Sequence, residues 1–248
     1  FTQSNSDLIL SDGIFLLKNK PYKSFTEVSE NCFGNYLISH NSKNYYVGEG
    51  KELSKRLKQQ FKPTTSTFYK NFTKLQKSNI AIKNIAIDSF KVQTINTEIG
   101  RKEIEEFGIT NLSTVLNRFQ IGKRKVYKVE NQNGLWEQVQ KNKTEILLQA
   151  EQEILNGKFI SWFDCNVKNN AGLYIVRDKN DKLIYIGESS DIYDRHKTHS
   201  TRTYFSALRR HIGTEILNFE LQEKDGKKRY FGVNEDQKVN DFLKFCKA

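Results

Sequence analysis

The chain has 248 residues, of which 40 are Lys or Arg and 29 are Asp or Glu, so its formal net charge is +11. The positive charge favours a polyanionic partner such as DNA, although a solvated basic surface explains it equally well. No apolar run is long enough to span a membrane, no signal-like start is visible, and the three cysteines stand far apart, so we expect a cytoplasmic protein with reduced thiols rather than a membrane or secreted one.

The first half opens with one apolar run and continues with a predicted hairpin. The run, Gly13–Leu17, predicts a strand or short helix packed on the first domain. The β-prone run Tyr36–Ile38 and a second run that ends in Gly48 are joined by a polar turn, which predicts an antiparallel hairpin. Apolar residues then recur every four positions over 53–61, so we expect a helix with Arg56 at the border of its apolar face.

Two more helices and a third strand are predicted before residue 118. Aromatic residues have helical spacing within Thr64–Lys77, whose lysines form either a solvated face or a track for a phosphate backbone: Lys70, Lys74 and Lys77. Ile87–Thr94 predicts a strand beside the hairpin. The following helix carries three glutamates, for which an acidic solvent-exposed face is the ordinary explanation: Glu103, Glu105 and Glu106.

A connecting segment joins the two halves. It begins with a basic cluster at Arg118 and Lys123–Lys125. It ends with a predicted helix from Asn142 to Leu155, capped by its asparagine and stopped by Gly157. The apolar stripe of this helix needs a surface to bury against, so we expect a packed helix rather than a flexible linker: Ile146, Ala150 and Ile154.

The second half repeats the pattern of the first. Gly172-Leu-Tyr174, Tyr185-Ile-Gly187 and Arg195 match Gly34-Asn-Tyr36, Tyr46-Val-Gly48 and Arg56, and the second motif and the arginine share an offset of 139 residues (185 − 46 and 195 − 56). The pattern continues with a predicted helix at Tyr204–Ile212, a strand at Leu217–Gln222, a basic turn and a helix at Asn234–Phe245. The basic residues Arg209, Arg210 and His211 are, like the lysines of the first half, either a solvated face or a phosphate track. A repeat of this length indicates one domain present twice.

These motifs resemble the GIY-YIG nuclease superfamily. Segment 46–61 is similar to the corresponding segment of excision-repair incision nucleases, and the second copy, with His199 four residues after its arginine, resembles GIY-YIG restriction and homing enzymes. The resemblance implies an α+β fold of two tandem small domains, each a three-stranded antiparallel sheet flanked by helices. We expect the first domain at 1–120, a connecting helical segment at 121–160, and a second, C-terminally incomplete domain at 161–248.

The resemblance also implies the roles of the site residues. Tyrosines orient or deprotonate the attacking water, an arginine stabilises charge on the phosphate, and a glutamate that lies twelve residues before an asparagine holds Mg²⁺ or Mn²⁺. The catalytic candidates are Tyr36, Tyr46, Arg56 and Asn117 in the first copy, and Tyr174, Tyr185, Arg195 and His199 in the second. We expect each arginine to lower the pKa of the neighbouring tyrosines.

The metal candidates differ between the copies. Glu105 is the candidate in the first copy because it lies twelve residues before Asn117, with Glu103 and Glu106 as competitors. In the second copy Glu235 is the acid at a plausible helix start, where an interaction with the helix dipole is the alternative explanation.

Three functions remain open at this level. The first is a Mg²⁺-dependent DNA endonuclease, possibly restriction-like, whose two sites cut opposite strands. The second has the same chemistry with one working domain and one that binds DNA, and the third is a non-catalytic basic DNA-binding protein on a degenerate nuclease scaffold. The partner is DNA in each case, and the protein acts either as a monomer with two pseudo-symmetric domains or as a homodimer.

Overall fold

A computed structural model describes residues 1–63, 66–117, 126–167, 170–201, 203–224 and 226–248. The chain divides into two compact units, Phe1–Leu147 and Leu148–Ala248. Each unit has its own buried apolar core and contains one of the two predicted hairpins. The basic cluster predicted at Arg118 and Lys123–Lys125 lies outside the described residues.

The first unit is built on a three-stranded antiparallel sheet. Its central strand β1 (Gly34–His40) pairs with β2 (Lys43–Gly50) on one side and with β3 (Lys91–Asn96) on the other. The predicted hairpin and third strand are therefore confirmed for this unit. The third strand begins later than expected because Ile87–Ser89 form a 3-10 turn.

Helices cover both faces of this sheet, so β1 is buried on both sides. Helices α2 (Leu53–Gln60) and α3 (Thr67–Ser78) pack on the face that carries Tyr36 and Tyr46. Helices α1 (Ser6–Asn19) and α4 (Arg101–Asn111) pack on the opposite face, against Leu37 and Val47. The apolar run at the start of the chain thus forms a helix of 14 residues, longer than the strand or short helix expected.

Residues 126–141 belong to the first unit, although the sequence assigned them to the connecting segment. They form an extended stretch followed by helix α5 (Leu135–Lys141), whose Trp136 is buried against Gly13 of α1. The buried Asp12 carboxylate accepts hydrogen bonds from the backbone N–H groups of Gln132 and Trp136, both at 2.9 Å. A buried carboxylate needs such donors, and here they fasten this segment to α1.

The predicted connecting helix forms, but its expected burial is wrong. Helix α6 (Lys143–Leu155) contains no buried residue, and its stripe residues Ile146, Ala150 and Ile154 are only half-buried. Leu147 and Leu148, which lie between them, are each 55% exposed. The division between the two units falls inside this helix, so α6 belongs to neither core.

The second unit combines a hairpin with three helices. Strands β4 (Gly172–Arg177) and β5 (Leu183–Ser189) form the hairpin. Helix α7 (Ile192–Thr201) follows it, and α8 (Ala207–His211) continues directly into a π-helical turn at Ile212–Ile216. The last helix is α9 (Val233–Leu243). The core residues that join these elements are Trp162, Val176, Leu208, Val239 and Leu243.

The prediction of a third sheet strand at Leu217–Gln222 is wrong for this unit. Residues 217–221 form no strand, and β6 (Gln222–Lys224) pairs with β7 (Lys227–Tyr230) in a separate hairpin. The alternating apolar residues of the segment pack directly on the core without a strand partner: Leu217, Phe219 and Leu221. The edge of β4 instead pairs at one residue with the end of the chain, where Arg177 and Lys247 exchange two backbone hydrogen bonds of 2.9 Å.

Cys32, Cys165 and Cys246 are free thiols. No helix in the described ranges has the length and apolar character that crossing a membrane requires.

Candidate active site

In the first unit, two tyrosines and an arginine meet on the face of the sheet under α2 and α3. The rings of Tyr36 on β1 and Tyr46 on β2 stack with their centroids 6.2 Å apart. Arg56 of α2 is half-buried beside them and interacts electrostatically with both phenols. The predicted meeting of these three side chains is therefore present in the structure.

The second unit places its tyrosines in the same way. The rings of Tyr174 on β4 and Tyr185 on β5 stack at 6.1 Å, and both rings contact the ring of His199, which is buried at the end of α7. Arg195, one turn earlier on α7, is half-buried and interacts electrostatically with Tyr174. These four candidates also lie together.

A glycine makes room for the first tyrosine in each hairpin. Tyr36 is paired with Gly48 across the strands, and Tyr174 is paired with Gly187. A Cβ atom at either glycine would overlap the tyrosine ring opposite. The two hairpins also share a register shift two residues after this tyrosine, at Ile38 and at Val176.

Each first tyrosine is hydrogen-bonded to a side chain that is itself held by a serine. In the first unit Nε2 of Gln60 donates to the hydroxyl of Tyr36 at 2.9 Å, and the hydroxyl of Ser66 lies 3.0 Å from Oε1 of Gln60. In the second unit Nε2 of His199 lies 2.6 Å from the hydroxyl of Tyr174, and Nδ1 lies 2.6 Å from Oγ of Ser206. Both units thus contain a corresponding series of three hydrogen-bonded side chains, with glutamine in the middle position of one and histidine in that of the other.

Both serines are helix N-caps, and sequence reasoning missed them. Ser66 accepts a hydrogen bond from the backbone N–H of Tyr69 at the start of α3, and Ser206 accepts one from Arg209 at the start of α8. The available signal was a serine six or seven residues after Gln60 or His199, immediately before a helix. The capping requirement fixes each serine beside the site.

Glu105 is the glutamate of α4 that lies next to the tyrosine–arginine cluster. It is half-buried, and its charge interacts with Glu49, Arg56, Tyr36 and Tyr46. Burial first, and the nearby Glu49 carboxylate second, raise the pKa of Glu105 to about 7. Of its competitors, Glu103 is exposed to solvent and Glu106 is half-buried; neither is among the charges that act on the site tyrosines or on Glu105.

Asn117 lies at the edge of the sheet. Its Nδ2 donates to the carbonyl of Val47 at 2.8 Å, and its Oδ1 accepts from the N–H of Val47 at 2.9 Å. Val47 lies between Tyr46 and Gly48 on the outer strand, so Asn117 takes the place of a neighbouring strand there. This contact positions the site tyrosine through the backbone.

Glu235 is engaged in capping a helix. Its Oε2 accepts a hydrogen bond of 2.7 Å from the backbone N–H of Gly232, the residue that precedes α9, and so caps the start of that helix. In the described part of the chain no hydrogen bond joins it to Tyr174, Tyr185 or His199. Its placement matches the helix-start explanation given for it above.

The expected lowering of the tyrosine pKa values by arginine is wrong in its net direction. Burial raises the pKa of Tyr46 to about 12 and raises the pKa of Tyr36 further still, and the opposing effect of Arg56 is smaller. Burial likewise raises the pKa of Tyr174 against the pull of Arg195. The phenols are therefore neutral near pH 7, because the low dielectric of the core disfavours their anions more than one cation favours them.

His199 is neutral for a related reason. Burial is the largest influence, and together with the surrounding cations it lowers the pKa of His199 to about 4. The cations that act in this direction are Arg195, His196, Arg209 and Arg210.

Arg209 lies neither on a solvated face nor on a phosphate track, which were the two roles predicted for it. It is 2% exposed, and its guanidinium donates to Thr203, Asn240 and Asp236, which ties α8 to α9. A side chain enclosed in this way does not reach a phosphate backbone. The three lysines of α3 are exposed to solvent, which both a solvated face and a phosphate track require: Lys70, Lys74 and Lys77.

A cavity of about 190 Å³ lies beside the cluster of the second unit. Tyr174, Arg195 and His199 line it together with other residues, among them Trp162 and Ile192. The cluster is thus open to an external molecule on this side.

Comparison with known proteins finds a family match within the second unit. Residues 170–238 match the GIY-YIG catalytic domain. Searches of curated proteins and of solved structures each found no match. The matched range contains Tyr174, Tyr185, Arg195 and His199, and it supports the assignment of the second unit to the GIY-YIG superfamily, whose domain indicates an endonuclease.

Proposed function

We propose that the protein is a restriction-like, divalent-metal-dependent DNA endonuclease that uses one tyrosine–arginine cluster in each unit. The observation that carries this proposal is the shared arrangement of the two clusters. In both, stacked tyrosines face an arginine, a glycine lies under the first tyrosine, and a serine holds that tyrosine's hydrogen-bond partner. The proposal treats the two units as tandem, pseudo-symmetric GIY-YIG domains, one of which matches the family.

The arginines supply the charge that a phosphodiester requires. Hydrolysis builds negative charge on the non-bridging oxygens, and a guanidinium stabilises it through its rigid, forked donors. Arg56 and Arg195 are each half-buried at the border of the cluster, so their interaction with a bound phosphate is screened less than in bulk water.

The tyrosines orient the attacking water in this proposal. Burial raises the pKa values of Tyr36, Tyr46 and Tyr174, so these phenols are hydrogen-bond donors near pH 7 rather than bases. Tyr46 and Tyr185 stack on Tyr36 and Tyr174, which holds the rings that carry the hydroxyls. Pairs of donors held in this way reduce the entropy that positioning the water costs.

Glu105 is the residue we propose as the metal ligand, with Glu49 nearby. The described residues contain no group of three or more His, Cys, Asp or Glu side chains that could hold a metal. A site with one or two carboxylates fits Mg²⁺, which keeps most of its water ligands. A partly buried carboxylate with a pKa raised to about 7 gains from a bound cation, so the residues present fit the ion. The ion would supply Lewis acidity at the phosphate. For Glu235 we retain only the capping role.

Plasmid cleavage tests the proposal. With Mg²⁺, supercoiled plasmid is converted first to nicked circles and then to linear DNA, and EDTA stops both steps. Arg56→Ala and Arg195→Ala each stop the reaction at nicked circles, and the double variant shows no cleavage. The matched controls are Lys58→Ala and Lys197→Ala, exposed lysines on the same two helices, which leave the product pattern as it is.

Two other results would redirect the proposal. Linear product from either single variant means that only one unit cuts. Salt-sensitive DNA binding without any cleavage, in a folded protein supplied with Mg²⁺ or Mn²⁺, supports the non-catalytic DNA-binding function instead. A cleavage rate that is first order in protein is expected, because one chain provides both clusters.

A further inference from the structure

In each unit the first tyrosine is hydrogen-bonded to a side chain that also contacts a buried serine. The two chains of side chains are Ser66–Gln60–Tyr36 and Ser206–His199–Tyr174. Glutamine cannot take up a proton, whereas histidine can. The two units therefore have equivalent chemistry only if histidine acts as glutamine does.

In the first unit a backbone group fixes the orientation of Gln60. The N–H of Phe68, which can only donate, lies 3.1 Å from Oε1 of Gln60. The hydroxyl of Ser66 accepts from the N–H of Tyr69, and its one proton lies within reach of both the backbone carbonyl and Oε1 of Gln60. With its oxygen held by these donors, Gln60 must turn its NH₂ group toward Tyr36. Tyr36 therefore accepts a hydrogen bond from Gln60.

In the second unit the hydroxyl of Ser206 fixes the orientation of His199. Ser206 is fully buried, and its oxygen already accepts from the N–H of Arg209 at 3.0 Å. Among the described residues, the acceptor within reach of its hydroxyl proton is Nδ1 of His199 at 2.6 Å. If Nδ1 carried the proton, the buried serine hydroxyl would have no acceptor, which is unfavourable.

We infer that Ser206 is a positioning residue that holds His199 as the neutral tautomer with its proton on Nε2, so that His199 donates to Tyr174 instead of accepting its proton. This inference rests on the proposed function for its catalytic meaning, but not for its structural content. His199 then does what Gln60 does in the first unit. Both first tyrosines accept an N–H, so their own O–H groups donate away from Gln60 and His199, and the Tyr174 hydroxyl is also hydrogen-bonded to Tyr185.

The surroundings of His199 are consistent with this tautomer. The rings of Tyr174 and Tyr185 contact the ring of His199, and the guanidinium charges that act on it are those of Arg195, Arg209 and Arg210. Burial and nearby positive charge both disfavour an imidazolium, so the ring has one proton to place near pH 7. Ser206 decides which nitrogen receives it.

NMR of the ring nitrogens tests the inference without any assay of activity. The protein contains four histidines, so long-range ¹H–¹⁵N correlation of ¹⁵N-histidine-labelled full chain gives four patterns. The pattern absent from His199→Gln identifies His199. We expect the neutral Nε2–H pattern at pH 7 in the unmodified protein and in Ser206→Thr, with a rise of the Nδ1–H form in Ser206→Ala. An Nδ1–H or doubly protonated ring in the unmodified protein overturns the inference, whether or not the variants fold.

A second experiment uses cleavage in the first unit. Gln60→His can still donate an N–H to Tyr36, whereas the carboxylate of Gln60→Glu at pH 8 can only accept. We expect Gln60→His to cleave at least tenfold faster than Gln60→Glu, with both folded by thermal melting. Equal rates, or a faster Gln60→Glu, overturn the inference. If the unmodified protein cleaves nothing, the proposed function fails and the tautomer measured by NMR still decides this inference.

Discussion

Asn117 holds Val47 through both of its backbone polar groups, with hydrogen bonds of 2.8 and 2.9 Å. Val47 lies on the outer strand of the first sheet, where an unpaired N–H and C=O would otherwise face a side without a strand partner. A side-chain amide can donate to the carbonyl and accept from the N–H of one residue at the same time, because its NH₂ group and its oxygen are separate atoms.

Asn117→Asp is expected to destabilise the first unit by about 2 kcal/mol, because a carboxylate cannot donate to the Val47 carbonyl and repels it. Urea unfolding measures the change. Asn156→Asp, at an exposed position, is the control and is expected to change stability by less than about 0.5 kcal/mol. Equal stability of the Asn117 variant and the parent would show that the two hydrogen bonds do not hold the strand.

Gly187→Ala is expected to displace the ring of Tyr174 and to lower stability by about 1–3 kcal/mol, because the added methyl group overlaps that ring. Gly172→Ala is the matched control in the same hairpin, since its Cβ would lie at an ordinary 3.7 Å from Ile192. Thermal melting and the near-UV signal of the tyrosines report the two effects. If Gly187→Ala changes neither the melting temperature nor the near-UV signal, the ring of Tyr174 does not lie over this glycine.

The pH dependence of stability tests the surroundings of Glu105. Its pKa is raised from 4.5 to about 7 in the folded protein, so between these values the folded state keeps a proton that the unfolded chain has lost. The stability from this group therefore decreases as pH rises through that range. Glu105→Gln removes the loss and, after allowance for partial exposure, is expected to raise stability at pH 8 by on the order of 1 kcal/mol relative to pH 5.

The same variant tests metal binding. At pH 8, Mg²⁺ should raise the melting temperature of the unmodified protein and leave that of Glu105→Gln in place, since a ligand stabilises only the state that binds it. Glu103→Gln, an exposed glutamate of the same helix, should respond to Mg²⁺ as the unmodified protein does. An equal response of Glu105→Gln would remove this residue from the proposed metal site.

Arg209→Lys is expected to destabilise the second unit by about 2–4 kcal/mol, because an ammonium cannot replace a buried fork that bonds three side chains. The exposed Lys228→Ala is the control. DNA affinity, measured below the melting temperature, should change little in the Lys variant. A large loss of affinity with unchanged stability would return Arg209 to the DNA-contacting surface.

The hairpins and the tyrosine–arginine clusters could be predicted because they depend on local pattern. Alternation and a polar turn specify a hairpin, and the repeated spacing brings Tyr46 near Arg56 and Tyr185 near Arg195. Side chains that depend on distant partners could not be placed in this way. Ser66 and Ser206 read as ordinary cap residues, and their contacts with Gln60 and His199 appear only when the chain folds.

The errors also have physical causes. Leu217, Phe219 and Leu221 alternate like a strand, but the core they cover satisfies the apolar pattern without a strand partner. Because Arg209 is charged, its side chain was expected at the solvent-exposed surface. Its hydrogen bonds to Thr203, Asn240 and Asp236 instead compensate the cost of burying the guanidinium.

The Asp12 carboxylate accepts hydrogen bonds from Gln132 and Trp136, which lie 120 and 124 positions later in the chain. Contacts of such high sequence separation form late, since closing a long loop costs entropy before the contact rewards it. As the protein emerges from the ribosome, the apolar face of α1 is therefore fully covered only after most of its own unit has been synthesised. Until then that face is exposed to chaperones and to other unfinished chains.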